Sequence, residues 1–292
     1  MSSSMKLGCC AVNFRQYPLD DALGWIAESG FKYVELEANR RWCNHADLDS
    51  DPISIRDKVK SYGLTLSALS CARQMIDNKD IEVEYDAVAD LSKALRWAKA
   101  AGIPVVHTGD GSKPHDMSDE DALEIIKRKL EVLVPIAEET GVYLCFEPHG
   151  ALTLRPGGLG KILDLLPSKW LGVNMDTGNP GRGNFVHFTK SGDEVWMLPP
   201  DFPKHDEIEI LAPIANRVRN VHFKDCVGKD AVCLGTGQVD LKGCVKLLHK
   251  AGFNGVLSWQ TEGYEDAELT KKWLELSHKL MKQILSEVEA ES

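Results

Sequence analysis

Five apolar runs end in side chains that can hold a cation or move a proton. IPVVHT ends near His107, VYLCFEPH carries Glu147 and His149, and NMDTGN carries Asp176. VHFKD brings His222 and Lys224, and SWQTEG brings Gln260 and Glu262. Glu147, Asp176 and His222, from three successive runs, form a donor set of hard oxygens plus one nitrogen. Such a set suits Mn²⁺, Mg²⁺ or Co²⁺ and also accepts Zn²⁺, with a fourth ligand expected from the last run. His107 and Lys224 can bond substrate hydroxyls or an enolate oxygen as charge develops, and His149 stands beside Glu147 as a further substrate contact. Each residue alone has a plainer reading: a glutamate can cap a helix or pair with arginine, a histidine can sit satisfied in a core, and Lys224 can pair with Asp225 or a neighbouring carboxylate. Glu35, Glu37 and Arg15 can reach the site or pair among themselves. The order of the three ligands argues for a metal.

The elements that must position these groups recur with a fixed rhythm. Apolar strand-like runs fall at 6–14, 31–37, 64–71, 103–108, 142–147, 171–176, 218–224 and 255–262, which makes eight. Between them lie stretches such as DDALGWIAESG and VADLSKALRWAKAAG, where apolar residues repeat at three and four and a glycine closes the helix. Runs apolar on both faces read as buried parallel strands. Eight strand-helix units without GxGxxG or GxxxxGK[ST] predict a (β/α)8 TIM barrel, one domain over 1–292. Reactive groups then belong at the carboxyl ends of the strands. One connection, about 178–205, is long and mixes Phe185, Phe188, Trp196 and Phe202 with glycine and proline; it reads as a lid or a subunit contact.

Composition narrows the partners. The net charge of -10 opposes binding to nucleic acid or an anionic membrane. The eight cysteines include no CxxC pair and lie in or beside apolar runs, so they read as buried thiols. No run approaches membrane-spanning length, and MSSSMKLGCC lacks a leader pattern, so a cytoplasmic protein is expected.

The succession FEPH, MDTGN, VHFKD, LGTGQVD and GFNGVLSWQ resembles the xylose isomerase-like TIM barrels, the sugar phosphate isomerases and epimerases, across nearly the whole chain. The resemblance implies one divalent metal held by Glu147, Asp176, His222 and a residue at position 260. That last position is usually glutamate, and here it is Gln260, which can bind a hard cation but cannot act as a base. Glu262, two residues on, could replace the missing carboxylate as ligand or base. The implied activity is isomerisation or epimerisation of a ketose, keto-sugar or polyol derivative through a cis-enediolate, with Glu147 as base and Glu262 opposite. A phosphate cradle is not evident. The partner would be a small carbohydrate, and barrels of this kind commonly form homo-oligomers. Alternatives are a lyase eliminating from a keto-sugar, keto-inositol or keto-glycoside, a repair endonuclease, disfavoured by the acidic charge, and a non-catalytic binding barrel. Within LGTGQVD, Thr236 stands where relatives often carry an acid and reads as part of a helix-entry turn.

Overall fold

The structure, a computed structural model, describes residues 5–40, 42–79, 81, 85–182, 186–188, 194–196 and 202–291. Eight parallel strands close a barrel: β1 Lys6–Cys10, β2 Tyr33–Glu37, β3 Thr65–Ser70, β4 Val105–Thr108, β5 Tyr143–Phe146, β6 Leu171–Asp176, β7 Val218–Phe223 and β8 Val256–Trp259. Each expected run supplies one strand. The first run ends early, because residues Ala11–Phe14 leave the sheet as a 3-10 turn, with the Arg15 amide bonded to Val12. Helices α1 Leu19–Glu28, α2 Pro52–Ser61, α3 Ala87–Ala101, α4 Asp119–Thr140, α5 Gly158–Leu163, α6 Glu207–Leu211, α7 Leu241–Lys250 and α8 Ala267–Ala290 follow the strands in turn.

Local chemistry sets the helix ends. Asp86 and Ser118 accept from the backbone amides of Ala89 and Asp121, satisfying donors that the first turns of α3 and α4 leave open. Gly102 and Gly141 close the same helices at φ of 79° and 68°, a left-handed conformation in which a side chain would be strained. Helix α4 buries Ala122, Ile126, Leu130, Leu133, Val134 and Ala137, a single stripe at helical spacing packed on the barrel. Burying each large aliphatic side chain contributes about 1.5–3 kcal/mol.

Strand alternation sorts the barrel walls. Val34 and Leu36 of β2 join the apolar layer under the helices, and Glu35 and Glu37 are buried on the other face. The interior is polar where most barrels are aliphatic: Asn174, Asn220, His107, His222 and Ser258 are all buried. Register irregularities fall between Val34 and Glu35 and between Val173 and Asn174, beside two of these inward polar residues. Such bulges re-aim side chains.

All eight cysteines are buried free thiols, as their setting implied. Among the described residues no helix is long and apolar enough to cross a membrane. Residues 183–185, 189–193 and 197–201 of the connection at 178–205, on which the expected lid or subunit contact falls, lie outside the described residues; a short antiparallel pairing of Val186–Phe188 with Glu194–Trp196 is described within it.

Candidate metal and proton-transfer site

The carboxyl ends of β2, β4, β5, β6, β7 and β8 converge on one cluster of charges. Asp176 and His222 are register partners on β6 and β7, and His222 Nδ1 lies 3.7 Å from Asp176 Oδ2 and 3.4 Å from Glu147 Oε1. Glu147 follows β5 directly, its amide donating to the carbonyl of Thr108 on β4. The three expected ligands therefore meet.

Glu35 organises the imidazoles. Its Oε1 lies 2.8 Å from His107 Nε2 and 2.7 Å from His222 Nε2, and Asn220 Nδ2 donates to its Oε2 at 2.8 Å. A carboxylate only accepts, so both Nε2 atoms must carry hydrogen. His107 Nδ1 then faces Glu147 Oε2 at 3.2 Å, and His222 Nδ1 faces Glu147 and Asp176. Burial alone would push Glu35 and Glu147 up, but the two histidines hold both below the usual carboxylate range. Burial likewise opposes charging the histidines, yet Glu35 and Glu147 outweigh it: His107 is raised to about 9 and His222 well above its ordinary value.

Asparagines hold the carboxylates in place. Asn174 Nδ2 donates to Glu147 Oε2 at 3.2 Å and Asn179 Nδ2 to Oε1 at 3.1 Å. Asp176 Oδ1 accepts from the amides of Gly178 and Asn179, each at 2.8 Å. Its Oδ2 has no aligned hydrogen bond, only the Lys224 ammonium at 2.8 Å.

Lys224 is buried between Asp176 and Glu262, whose Oε1 is also 2.8 Å away. Its partner is thus not the adjacent Asp225, whose carboxylate accepts from the amides of Gly235, Gly237 and Val239 and braces the LGTGQVD turn leading to α7. Burial opposes the Lys224 charge, but Asp176 and Glu262 raise its pKa. Glu262 is paired with Arg182 as well, and although burial acts the other way, Lys224 and Arg182 hold it low. Gln260 closes the ring from the end of β8, its amide bonded to Phe223 on β7. Its Oε1 is buried without a hydrogen-bond partner. His149 is half-buried beyond β5, its amide donating to Thr153 Oγ1 at 2.8 Å. Burial lowers its pKa against the charges of Glu147, Asp110 and Glu262, which places it in the same field.

The chemistry of these donors suits a cation. Asp176 Oδ2, His222 Nδ1 and Gln260 Oε1 are all buried without an aligned hydrogen bond; the first two lie only in ion pairs with Lys224, Glu147 and each other, and an unsatisfied atom such as the Gln260 carbonyl oxygen is costly to bury. His107, Glu147 and His222 also bring ligand atoms within 4.8 Å of one another, as do Cys10, Glu35 and His222. The second group is the poorer site, because burial pushes the Cys10 thiol up and a thiolate is what binds metal.

Glu35 was left open by the sequence, and Asn174, Asn179, Asn220 and Arg182 were not singled out by it. Period two would have found two of them: Asn174 stands two before Asp176 and Asn220 two before His222, on the same inward faces. Of the other two open residues, Glu37 is bonded to Asn39 Nδ2, and Arg15 donates Nε to the Glu262 carbonyl at 3.1 Å and lies 3.8 Å from the centre of the Trp42 ring and 4.8 Å from that of Tyr264. These two aromatic rings are exposed.

The xylose isomerase-like TIM barrel family matches residues 23–283. An uncharacterized protein of Methanocaldococcus jannaschii is 27% identical over 238 residues, 78% of this chain and 68% of the relative. Among solved structures, a D-tagatose 3-epimerase-like protein superimposes with a TM-score of 0.72 at 20% identity, covering 98% of this chain and 99% of that one. A xylose isomerase-like TIM barrel protein from Mycobacterium smegmatis in complex with magnesium gives 0.73 at 16% identity over 99% and 100%. A probable 3-DHS dehydratase from Bacillus anthracis gives 0.68 at 16% identity over 95% and 99%. At these identities the three structures establish the fold.

Proposed function

The chain belongs to the xylose isomerase-like TIM barrel family, and on that premise we propose that it is an enzyme that moves a proton beside the carbonyl of a small carbohydrate, with one divalent cation at the barrel mouth. The observation that carries this reading is that Asp176 Oδ2, His222 Nδ1 and Gln260 Oε1, at the ends of β6, β7 and β8, are buried without an aligned hydrogen bond, the first held only by the Lys224 ammonium and the second only facing carboxylates. Glu147, Asp176, His222 and Gln260 would hold the cation, and Mn²⁺ or Mg²⁺ suits three oxygen donors and one imidazole. Bound there, it would polarise a carbonyl and stabilise the negative charge that develops when the neighbouring proton leaves.

Glu147 is the proton carrier. Asn174 and Asn179 fix its carboxylate through Nδ2 donors at 3.2 and 3.1 Å, so that it is oriented before substrate arrives. His107 spends Nε2 on Glu35 and Nδ1 on Glu147 and so helps to orient that carboxylate, while Lys224 lends positive charge to a substrate oxygen as negative charge develops. His149 sits at the rim as a hydroxyl contact. The exposed rings of Trp42 and Tyr264, stacked about Arg15, offer flat apolar faces to the carbon side of a sugar.

Glu262 serves as the counter-ion of both Lys224 and Arg182, a pairing role rather than a proton-carrying one. Gln260 offers a carbonyl oxygen and no base. Glu147, oriented by its two asparagines, is then the one base we assign, and one base favours isomerisation: it can take a proton from one carbon and return it to the next on the same face. Inverting a single carbon needs a second acid on the opposite face. Elimination from a keto-sugar is the second reading, favoured by the same single base with the Lys224 ammonium placed to stabilise negative charge on a departing oxygen.

The test is incubation with Mn²⁺ in D2O and a panel of aldoses, ketoses and keto-sugars, followed by NMR and mass spectrometry. An aldose-ketose pair interconverting, with transfer partly shielded from solvent, supports isomerisation. Loss of water from a keto-sugar supports elimination. No exchange and no product across the panel would sink the proposal.

A further inference from the structure

The opposite end of the barrel contains a cavity of about 550 Å³. It is framed by the starts of the strands, with Lys6, Tyr33, Ser67, Tyr143, Arg219 and Asn220 among its walls. Two of the lining residues are cationic and none is acidic, although the chain as a whole carries 44 acidic and 34 basic residues. In a protein of that balance, a cavity with the opposite sign is a local reversal.

Neither cation has a carboxylate partner among the described residues. Lys6 Nζ lies 5.6 Å from the centre of the Tyr33 ring, and the Arg219 guanidinium lies 5.1 Å from that of Tyr143. Arg219 spends Nη1 on the carbonyls of Asn216 and Val218, while its Nε is buried with no hydrogen-bond partner. Ser67 Oγ is likewise buried and unpartnered, on a residue only 4% exposed.

The position of Arg219 is provided for by the strand beside it. A Cβ at Gly172 on β6 would stand 2.7 Å from Arg219 Cγ and 3.1 Å from the Arg217 carbonyl, so the absence of a side chain there makes room for the arginine stem. A half-buried, unpaired guanidinium costs stability, and packing the end of a barrel does not require one.

The geometry points to a second binding site here, for a small molecule bearing a phosphate or carboxylate oxyanion. The oxyanion is received by Arg219 and Lys6, with Ser67 Oγ as a hydroxyl donor, and the body of the ligand lies against the Tyr33 and Tyr143 rings. The volume falls in the range of small-molecule sites. Arginine suits this role because its donors match the oxygens of a phosphate or carboxylate.

The test uses the full chain stripped of metal and then dialysed free of chelator, so that neither a cation at the catalytic end nor the chelator's carboxylates compete, at ionic strength held constant with sodium chloride. Inorganic phosphate and acetate are titrated separately by calorimetry, and the preferred anion identifies the group recognised. Saturable millimolar binding is expected, weakened at least tenfold by Arg219→Met and three- to tenfold by Lys6→Gln. Because Arg219→Met can disturb packing, the exposed Lys6→Gln keeps the question decidable. Absence of saturable binding to either anion, or affinity unchanged in Lys6→Gln, would overturn the site.

Discussion

His107 and His222 meet edge to face, their ring centroids 4.8 Å apart and their planes at 82°, and both turn Nε2 toward one oxygen of Glu35. That shared oxygen fixes which nitrogen each ring directs at Glu147. For His222 it leaves Nδ1 aimed at the carboxylates, where a cation can replace a proton. Buried partners of this kind orient a ligating histidine and commonly change metal affinity by about 10–100-fold.

Glu35→Gln should therefore weaken Mn²⁺ binding by about that factor with little change in volume. A glutamine can present N–H to Nε2 and so permit the wrong tautomer. Calorimetric titration with Mn²⁺ checks it, and an affinity equal to wild type would remove Glu35 from this role.

Glu37 predicts a pH dependence of stability. Burial, with the charge of Glu35 beside it, raises its carboxyl from 4.5 to about 7. The folded state then holds a proton that the unfolded chain releases near pH 4.5, so this contribution is full below pH 4.5 and is lost as pH rises to about 7. Compared with Glu37→Gln, the metal-free wild type should lose about 3 kcal/mol across that window and nothing further above it. Urea denaturation of both proteins from pH 4.5 to 8 measures the difference. Parallel curves would mean that Glu37 titrates normally.

The eight strands, their order and three meeting ligands were legible because each strand is an apolar run with its chemistry at the carboxyl end, and the fold places those ends together. Glu35 was harder to assign. A charged residue in the middle of YVELE can face either way until alternation against Val34 and Leu36 is anchored by packing, and its partners lie on β4 and β7, remote in sequence. Arg182 was hidden for another reason: it follows β6 in a loop, and only the folded chain brings it to Glu262. The pairing of Lys224 with Asp176 and Glu262 rather than Asp225 is also a tertiary fact, since residues adjacent in a strand point to opposite faces.

Position 260 tests the one-base argument. Gln260→Glu places a second carboxylate at the end of β8, where no cationic partner of Gln260 is seen to neutralise it. The variant should keep its cation and gain exchange of the substrate proton with solvent, read as deuterium incorporation in D2O with the substrate that the wild type accepts. Exchange and product distribution identical to wild type would mean that position 260 does not face the reacting carbon.

Lys224 ties the site to the stability of the barrel. Its ammonium sits between two buried carboxylates, at 2.8 Å from each, so removing it strands Asp176 and leaves Glu262 to Arg182 alone. Breaking a buried pair from one side costs about 3–5 kcal/mol, and Lys224→Met should lose about that much in metal-free protein by urea denaturation. Glu262→Gln in the same background should recover little, because Arg182 already serves Glu262, whereas Asp176→Asn should recover more by removing the stranded charge. A cation at the site should also rescue Lys224→Met, since it would neutralise Asp176 in place of the ammonium. Equal stability of Lys224→Met with and without Mn²⁺ would therefore count against Asp176 as a ligand, even if the lysine itself proves as important to the fold as its burial suggests.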